Sequence, residues 1–392
     1  MVISKKVREI SLSPTMKAAA LVKELQTNGE EIIDLTVGEP DFSTPQNIKN
    51  AAILALNNNF TKYTNNAGTI ELRKAIAKKL ELDNGLIYSP EEIIVSAGAK
   101  QCIYNAIQSL VCIGDEVIVS SPYYVSYPEM VTLAQGKTIV IPTTEINGFK
   151  IKPQSLAEVI TEKTKLLILC SPCNPTGTAY TKEELQELIG VIENTNIHIL
   201  SDEIYEKVVY DDFRVFSAAA LNEKTKSKTV TINGHSKSYS MTGWRLGYAA
   251  GPQHIISAMG KYQSHSTGNP SSISQAAALE ALTGQQESVE TARKEFERRR
   301  NFLHSELASI NGITCYKPEG AFYLFPNISA FFNSNTIKNS TDLAIHLLNT
   351  AKVAVVPGIA FGAEGYIRIS YSTSMENLIE GVERIKNAIE KI

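Results

Sequence analysis

A lysine that follows an apolar run and sits among small residues is a candidate nucleophile. This chain has one in Asn233-Gly234-His235-Ser236-Lys237. Its amine becomes nucleophilic if it is partly desolvated or held near another cation, which would make it a Schiff-base former. Arg245 lies eight residues on, in Met241-Thr242-Gly243-Trp244-Arg245-Leu246-Gly247-Tyr248, and could hold a phosphate. A solvated surface lysine would read the same way in isolation. Ser201-Asp202-Glu203-Ile204-Tyr205 closes another apolar run. A carboxylate at a buried strand end must find a cation or a donor, and Tyr205 could share its site. Asp202 could equally cap a following helix.

Two further stretches complete the set. Ser171-Pro172-Cys173-Asn174-Pro175-Thr176-Gly177 follows a third apolar run, and Asn174 can offer a side-chain amide. A loop at a strand's carboxyl end is where open α/β sheets place ligands, although Asn-Pro-Thr-Gly is also ordinary turn chemistry. Ser96-Ala97-Gly98-Ala99-Lys100-Gln101 joins a strand to a helix. Small residues there let backbone N–H groups approach an anion, most often phosphate, and would also suit close packing. Lys100 stands out, because a cation in the first turn of a helix opposes the helix dipole and calls for an anion nearby. An amine, a carboxylate, an amide and a phosphate cradle are together what pyridoxal phosphate requires. The amine meets its aldehyde, the acid its ring nitrogen and the amide its phenolic oxygen. Neither a G-x-G-x-x-G turn nor a G-x-x-x-x-G-K-[ST] loop is present, which argues against dehydrogenase and nucleotide-hydrolase chemistry.

These residues need a scaffold that gathers strand ends. Short apolar runs at Glu92–Val95, Asp115–Val119, Leu166–Leu169, Ile197–Leu200 and Thr229–Ile232 read as buried strands. Amphipathic segments lie between them. Leu185, Leu188, Ile189 and Ile192 share one helical face behind a capping box of Thr181 and Glu184. Ile103, Ile107, Leu110 and Val111 share another. Strands alternating with helices predict an α/β fold with a mostly parallel sheet covered on both faces. The last third differs. A long charged helix is expected over Val289–Ile310, then a strand at Ala321–Phe325, then a final helix starting at Thr373 with Glu376 as its capping partner. This reads as a smaller α+β domain. The expected division is a segment 1–40 packing with the small domain, a large domain 41–284 and a small domain 285–392.

Composition narrows the classes. The chain has 392 residues, 43% hydrophobic and 20% charged, with a formal net charge of −3. No basic run suggests nucleic acid, and no run of about 18 apolar residues suggests a membrane span. The N-terminal residues carry charges with no apolar run behind them, so no secretory signal is expected and the cytoplasm is the expected location. Five cysteines, an odd number in a long chain, do not make a disulfide scaffold. Cys170 and Cys173 have C-x-x-C spacing, but no second Cys/His pair completes a metal site, so no metal is expected.

At this point the sequence resembles the class I, fold type I pyridoxal-phosphate aminotransferases, in their bacterial aspartate aminotransferase branch. The resemblance runs from Leu12-Ser13-Pro14-Thr15 through Gly38-Glu39-Pro40-Asp41-Phe42, Lys62-Tyr63, Ser121-Pro122-Tyr123-Tyr124, Asn174-Pro175-Thr176-Gly177, Asp202-Glu203-Ile204-Tyr205 and Ser236-Lys237. It ends on Val356-Pro357-Gly358 and Arg368-Ile369-Ser370-Tyr371. It implies a mostly parallel, seven-stranded type of sheet flanked by helices with a smaller α+β domain, and that Lys237 carries the cofactor and then shuttles the α-proton. Asp202 would keep the pyridine nitrogen protonated, Asn174 and Tyr205 would bind the phenolic oxygen, and Tyr124 would stack on the ring. Gly98, Ala99 and Lys100, with Arg245 and Ser236, would hold the phosphate. Arg368 would grip the substrate α-carboxylate, with Gly38 approaching it through its backbone. Lys100, with Ser13 and Thr15, would recognise a distal carboxylate. Tyr63 would reach the neighbouring subunit's phosphate, which implies a homodimer with shared sites.

Three positions depart from the pattern: Tyr124 where many relatives have Trp, Gly234 where many have Ser, and Cys173 where Asn is common. Relatives that accept prephenate usually carry a basic residue shortly before Ser13; Ser11 stands there, so that activity is not expected. The expected reaction is amino transfer between aspartate or glutamate and 2-oxoglutarate or oxaloacetate, in ping-pong fashion. The alternatives are an aminotransferase of broader, neutral or aromatic preference, and a lyase on the same fold. A ligand-sensing regulator would need a DNA-binding segment, for which the residues before Ser13 leave no room.

Overall fold

The computed structural model describes residues 3–332 and 336–391, so Met1 and Val2 of the N-terminal stretch lie outside it. Its strands, in chain order, are β1 (Ile33–Asp34), β2 (Ile93–Ser96), β3 (Glu116–Ser121), β4 (Lys137–Pro142), β5 (Thr164–Cys170), β6 (His198–Asp202), β7 (Thr229–Gly234), β8 (Gly247–Ala250), β9 (Tyr323–Leu324), β10 (Val353–Ala354), β11 (Val356–Pro357) and β12 (Ile367–Ser370). Seven of them form one sheet in the order β2-β8-β7-β6-β5-β3-β4. The expected α/β architecture is present. The sheet is parallel except at β8, which runs antiparallel to both β2 and β7. The five apolar runs became β2, β3, β5, β6 and β7. Glu92 falls in a 3-10 turn just before β2 rather than in the strand. The strands β4 and β8 were not separated by periodicity: β4 is half exposed, and β8 is four small or aromatic residues with no apolar alternation.

Alternation along each strand feeds two cores. Val117, Val119, Leu166, Ile168, Leu200, Val230 and Ile232 pack with Cys102, Ile103, Ala106 and Ile107 of the helix Ala99–Leu110. Ile118, Leu167, Leu169 and Ile199 pack on the other face with Leu185, Leu188 and Ile189 of the helix Lys182–Gly190. The latter helix has the expected capping box: Thr181 Oγ1 accepts from Glu184 N at 3.2 Å, and Glu184 Oε2 accepts from Thr181 N at 2.8 Å.

The C-terminal third builds a three-stranded antiparallel sheet, β11-β12-β9, and β1 pairs in parallel with β10. The long charged helix spans Glu287–Ala308. The expected strand over Ala321–Phe325 is cut to Tyr323–Leu324, because Ala321 takes a left-handed φ of 58° and Pro326 follows Phe325. The last helix, Met375–Ile389, is capped by Ser374 and not by Thr373. Ser374 Oγ accepts from Asn377 N at 3.2 Å, while Thr373 Oγ1 is taken by the Asn377 side chain. Among the described residues, no helix is long and apolar enough to cross a membrane.

Candidate active site

The carboxyl ends of β5, β6 and β7 lie side by side, so the residues just past them share one space. Asp202 ends β6 and is buried. It caps no helix. Tyr127, in the first turn of the helix Ser126–Leu133, donates its hydroxyl to Asp202 Oδ2 at 2.7 Å. Among the described residues, the other oxygen accepts only the backbone N–H of Ile204, at 3.3 Å. Burial pushes the Asp202 pKa up to about 6, while the Tyr127 hydrogen bond, the Ile204 N–H and the Lys237 charge pull the other way. Lys237 follows β7 and donates from Nζ to the Gly38 carbonyl at 2.5 Å. Burial pulls its pKa down to about 8, helped by Arg368 and Arg245 and opposed by Glu39 and Asp202. An amine with that value is roughly one-tenth neutral at pH 7, a far larger share than an ordinary lysine holds.

Arg368 sits on β12 and is buried, at 2% exposure. It donates from one terminal nitrogen to Asn174 Oδ1 at 3.0 Å and from the other to the Thr36 carbonyl at 2.6 Å. Its Nε is buried without a partner among the described residues, an orphan donor that calls for a ligand. Its guanidinium lies 4.5 Å from the Tyr323 ring centroid and 5.1 Å from that of Phe361. Tyr205 and Tyr323 share a hydroxyl–hydroxyl bond of 2.8 Å. These contacts link the amide, the phenol and the guanidinium on one wall.

The opposite wall is the turn before the helix Ala99–Leu110. Gly98 has a φ of 94°, and a Cβ there would come within 2.8 Å of an Arg245 guanidinium nitrogen. Only glycine fits both demands. The Gly98 N–H is taken by the Ser96 carbonyl at 2.7 Å, so Gly98 contributes close approach and not the donor expected of it. The first helical N–H groups, of Ala99 and Lys100, have no intrahelical acceptor and remain for a ligand. Gly247 presses on this turn, since a Cβ there would lie 2.3 Å from Ala99 N. Gly234 is similarly confined, 2.9 Å from Gly247 Cα for an added Cβ, so the missing serine has no room in this backbone. Ser236 lines the cavity instead.

These walls enclose a cavity of about 520 Å³. Gly38, Ala99, Lys100, Tyr124, Asn174, Asp202, Tyr205, Ser236, Lys237, Arg245, Arg368 and Thr15 all line it. Ser13 does not; its hydroxyl bonds Thr15 Oγ1 at 2.9 Å, one step back. Tyr63 does not line the cavity of its own chain and is 97% exposed. Lys100 forms no ion pair among the described residues; its ammonium lies 5.5 Å from the Tyr124 ring centroid. Among the described residues, no protein group supplies the anion that its place in the helix calls for. Sequence reasoning missed Tyr127, Tyr323 and Thr36. Only Tyr127 left a signal, as the second of two aromatics three residues apart in Tyr124-Val125-Ser126-Tyr127.

Residues 30–385 match the family described as "Aminotransferase class I and II". The chain belongs to this aminotransferase family. Its relatives include the aspartate aminotransferase of Bacillus subtilis (strain 168), 47% identical over 391 residues and covering 100% of both chains. A probable aspartate/prephenate aminotransferase of Rickettsia conorii is 46% identical over 397 residues, covering 100% of this chain and 99% of the relative. A solved structure of aspartate aminotransferase from Thermus thermophilus with maleate matches with a TM-score of 0.94 at 42% identity, covering 99% of this chain and 100% of that one.

Aminotransferases of this family use pyridoxal phosphate. The residues of this aminotransferase fit it. Asp202 offers a buried carboxylate oxygen with one stretched partner, Lys237 offers an amine of lowered basicity, and two free N–H groups stand beside Arg245. The Asn174 side-chain nitrogen has no protein partner among the described residues and is available to an acceptor.

Proposed function

We propose that this aminotransferase moves the amino group of aspartate or glutamate to 2-oxoglutarate or oxaloacetate in two half-reactions. One observation carries the choice of substrate. Four cations line the cavity without an ion pair among the described residues; Lys237 and Arg245 go to the cofactor's aldehyde and phosphate, which leaves Arg368 in the wall and Lys100 at its mouth. A dicarboxylic substrate answers both. The relatives named aspartate aminotransferase, one of them bound to the four-carbon dicarboxylate maleate, support the reading. Ser11 offers no side-chain cation; its N–H bonds Glu129 Oε2 at 3.2 Å. Prephenate, which appears in the name of the Rickettsia relative, is therefore not among the proposed substrates.

When bound, pyridoxal phosphate supplies the sink for the electron pair released at the substrate α-carbon. The chain's residues do the rest. Ala99 and Lys100 N–H groups, Ser236 and Arg245 hold the phosphate, with Gly98 giving the close approach. Asp202 holds a proton on the ring nitrogen. Asn174 Nδ2 and Tyr205 donate to the phenolic oxygen, and Tyr124 covers the ring. Arg368, beside Gly38, grips the α-carboxylate in a fork. Lys237 holds the cofactor, then moves the proton between the α-carbon and the cofactor's C4′. Lys100 and Thr15, with Ser13 behind, receive the distal carboxylate. The working unit is a homodimer in the cytoplasm, with Tyr63 of the partner subunit reaching the phosphate. The near-total exposure of Tyr63 supports this. Residues 41–284 and 285–392 act as large and small domains on either side of the cleft. Residues 1–40 are assigned to the small one, a reading supported by the β1–β10 pairing, although Ser11 meets Glu129 of the large domain.

Lys100→Ala tests the substrate. Catalytic efficiency should fall for aspartate far more than for alanine or phenylalanine, by about 1.5–3 kcal/mol, the worth of one charge-assisted hydrogen bond. A uniform loss across donors would make Lys100 a cofactor residue only and withdraw the acidic substrate. Tyr63 tests the dimer. Tyr63→Ala and Lys237→Ala subunits, each inactive alone, should regain part of the activity once exchanged into mixed dimers. A monomer in sedimentation, or exchange without recovery, counts against shared sites.

A further inference from the structure

Asp202 has one oxygen tied and one oxygen waiting, and what ties the first comes from outside the strand ends. We infer that Tyr127 is a positioning residue, whose hydroxyl fixes Asp202 so that one carboxylate oxygen faces the cavity in ionised form. This rests on the reading of Asp202 as partner of the cofactor's ring nitrogen.

The geometry is specific. Tyr127 is 2% exposed and Asp202 4%, so their 2.7 Å bond is shielded from water. A hydrogen bond to a charged acceptor in such surroundings is among the strong ones. The phenol stands at the start of the helix Ser126–Leu133, three residues after Tyr124, and their rings meet edge to face at 5.4 Å. The start of this helix and the residues just before it therefore set both a cavity-lining ring and the orientation of the acid. The groups facing Asp202 from the other packed elements are few. Cys102 comes from the helix Ala99–Leu110, Cys170 and Cys173 from the end of β5 and its loop, and Lys237 from the loop after β7. Burial pushes the Cys102 thiol up, the hydrogen bond between Cys170 and Cys173 raises the first and lowers the second, and Lys237 is the single cation among these groups. Against the burial that favours protonation of Asp202, Tyr127 is the largest opposing influence.

The consequence concerns pH. In the protein without cofactor, Asp202 is ionised above about pH 6, and affinity for a protonated ring nitrogen falls as pH drops through that value. Removing the phenol leaves burial less opposed, so the fall must begin at higher pH. Trp244, the chain's single tryptophan, neighbours Arg245 and gives a fluorescence signal for cofactor binding that needs no turnover.

Titration of cofactor-free protein with pyridoxal phosphate across pH, read by Trp244 fluorescence, tests this. In Tyr127→Phe, which keeps the ring and its contact with Tyr124, the onset of weakening should move up by about one pH unit, with about tenfold weaker binding near pH 6. Turnover with aspartate should fall in kcat more than it rises in KM. In an Asp202→Asn background the same Tyr127→Phe change should have almost no further effect, since it acts through Asp202. An unshifted onset, or an equal loss with and without the Asp202 carboxylate, overturns the inference. If Asp202→Asn itself changes neither affinity nor rate, the failure lies in the cofactor reading of the site and not in Tyr127 alone.

Discussion

Lys237→Ala should still bind pyridoxal phosphate while turnover falls by at least the 10²–10⁴-fold that a positioned proton shuttle is roughly worth. Two tasks meet at this nitrogen, and alanine removes both. Binding should survive because the cradle is made elsewhere: Ala99 and Lys100 N–H groups, Ser236, Arg245 and the Asp202 carboxylate are untouched. In the unmodified protein, borohydride reduction followed by peptide mapping should place the cofactor on Lys237. The pH dependence supplies an independent check. Capture needs the neutral amine, and burial has drawn its pKa down to about 8. The rate of covalent attachment should therefore rise as pH climbs through about 8 and level off above it. An ordinary lysine would not level off until pH exceeds about 10.4. Label found on a different lysine, or substantial turnover in Lys237→Ala, would remove the central assignment.

The chemistry of the site was more legible than its supports. Lys237, Asp202 and Asn174 each end an apolar run, and a parallel sheet must bring such ends together, so their convergence follows from strand pattern alone. Arg368 was different. Its surroundings on β12 are apolar, yet nothing local says that the strand will face β5 and β6 across a cleft; only the resemblance carried it. The partners of these residues were harder still. Tyr323 lies inside an apolar run and Tyr127 beside a second tyrosine, and for both rings burial by core packing is the ordinary outcome. Their hydroxyl bonds to Asp202 and Tyr205 depend on helix and strand placements that periodicity cannot fix. The same limit shows in the fold. Strands buried on both faces announced themselves, whereas β8 is short, small-residued and antiparallel, and its role is to let Gly247 approach Gly98 and Ala99 on one side and Gly234 on the other. Gly98 shows the reverse case: its glycine was rightly singled out, but for approach to Arg245 and not for its N–H, which Ser96 consumes.

Asp202→Asn should damage catalysis much more than cofactor occupancy. The amide keeps the size of the side chain and can still meet the Tyr127 hydroxyl, so the packing at the end of β6 should hold. What it cannot do is carry the negative charge that keeps a proton on the pyridine nitrogen. Without that proton the ring accepts electrons poorly, and the cost falls on the step that releases the α-proton. A loss on the order of 10²–10³-fold in that step is expected, the scale on which removing one preorganised electrostatic partner acts. Occupancy has other supports in the phosphate cradle and in Lys237, so excess cofactor should restore it. Exchange of the substrate α-proton with deuterated solvent, followed by nuclear magnetic resonance, reads the first quantity. Trp244 fluorescence reads the second. A proportional fall in both would mean that the carboxylate only shapes the pocket. A selective fall in α-proton exchange would tie the buried charge at the end of β6 to the chemical step.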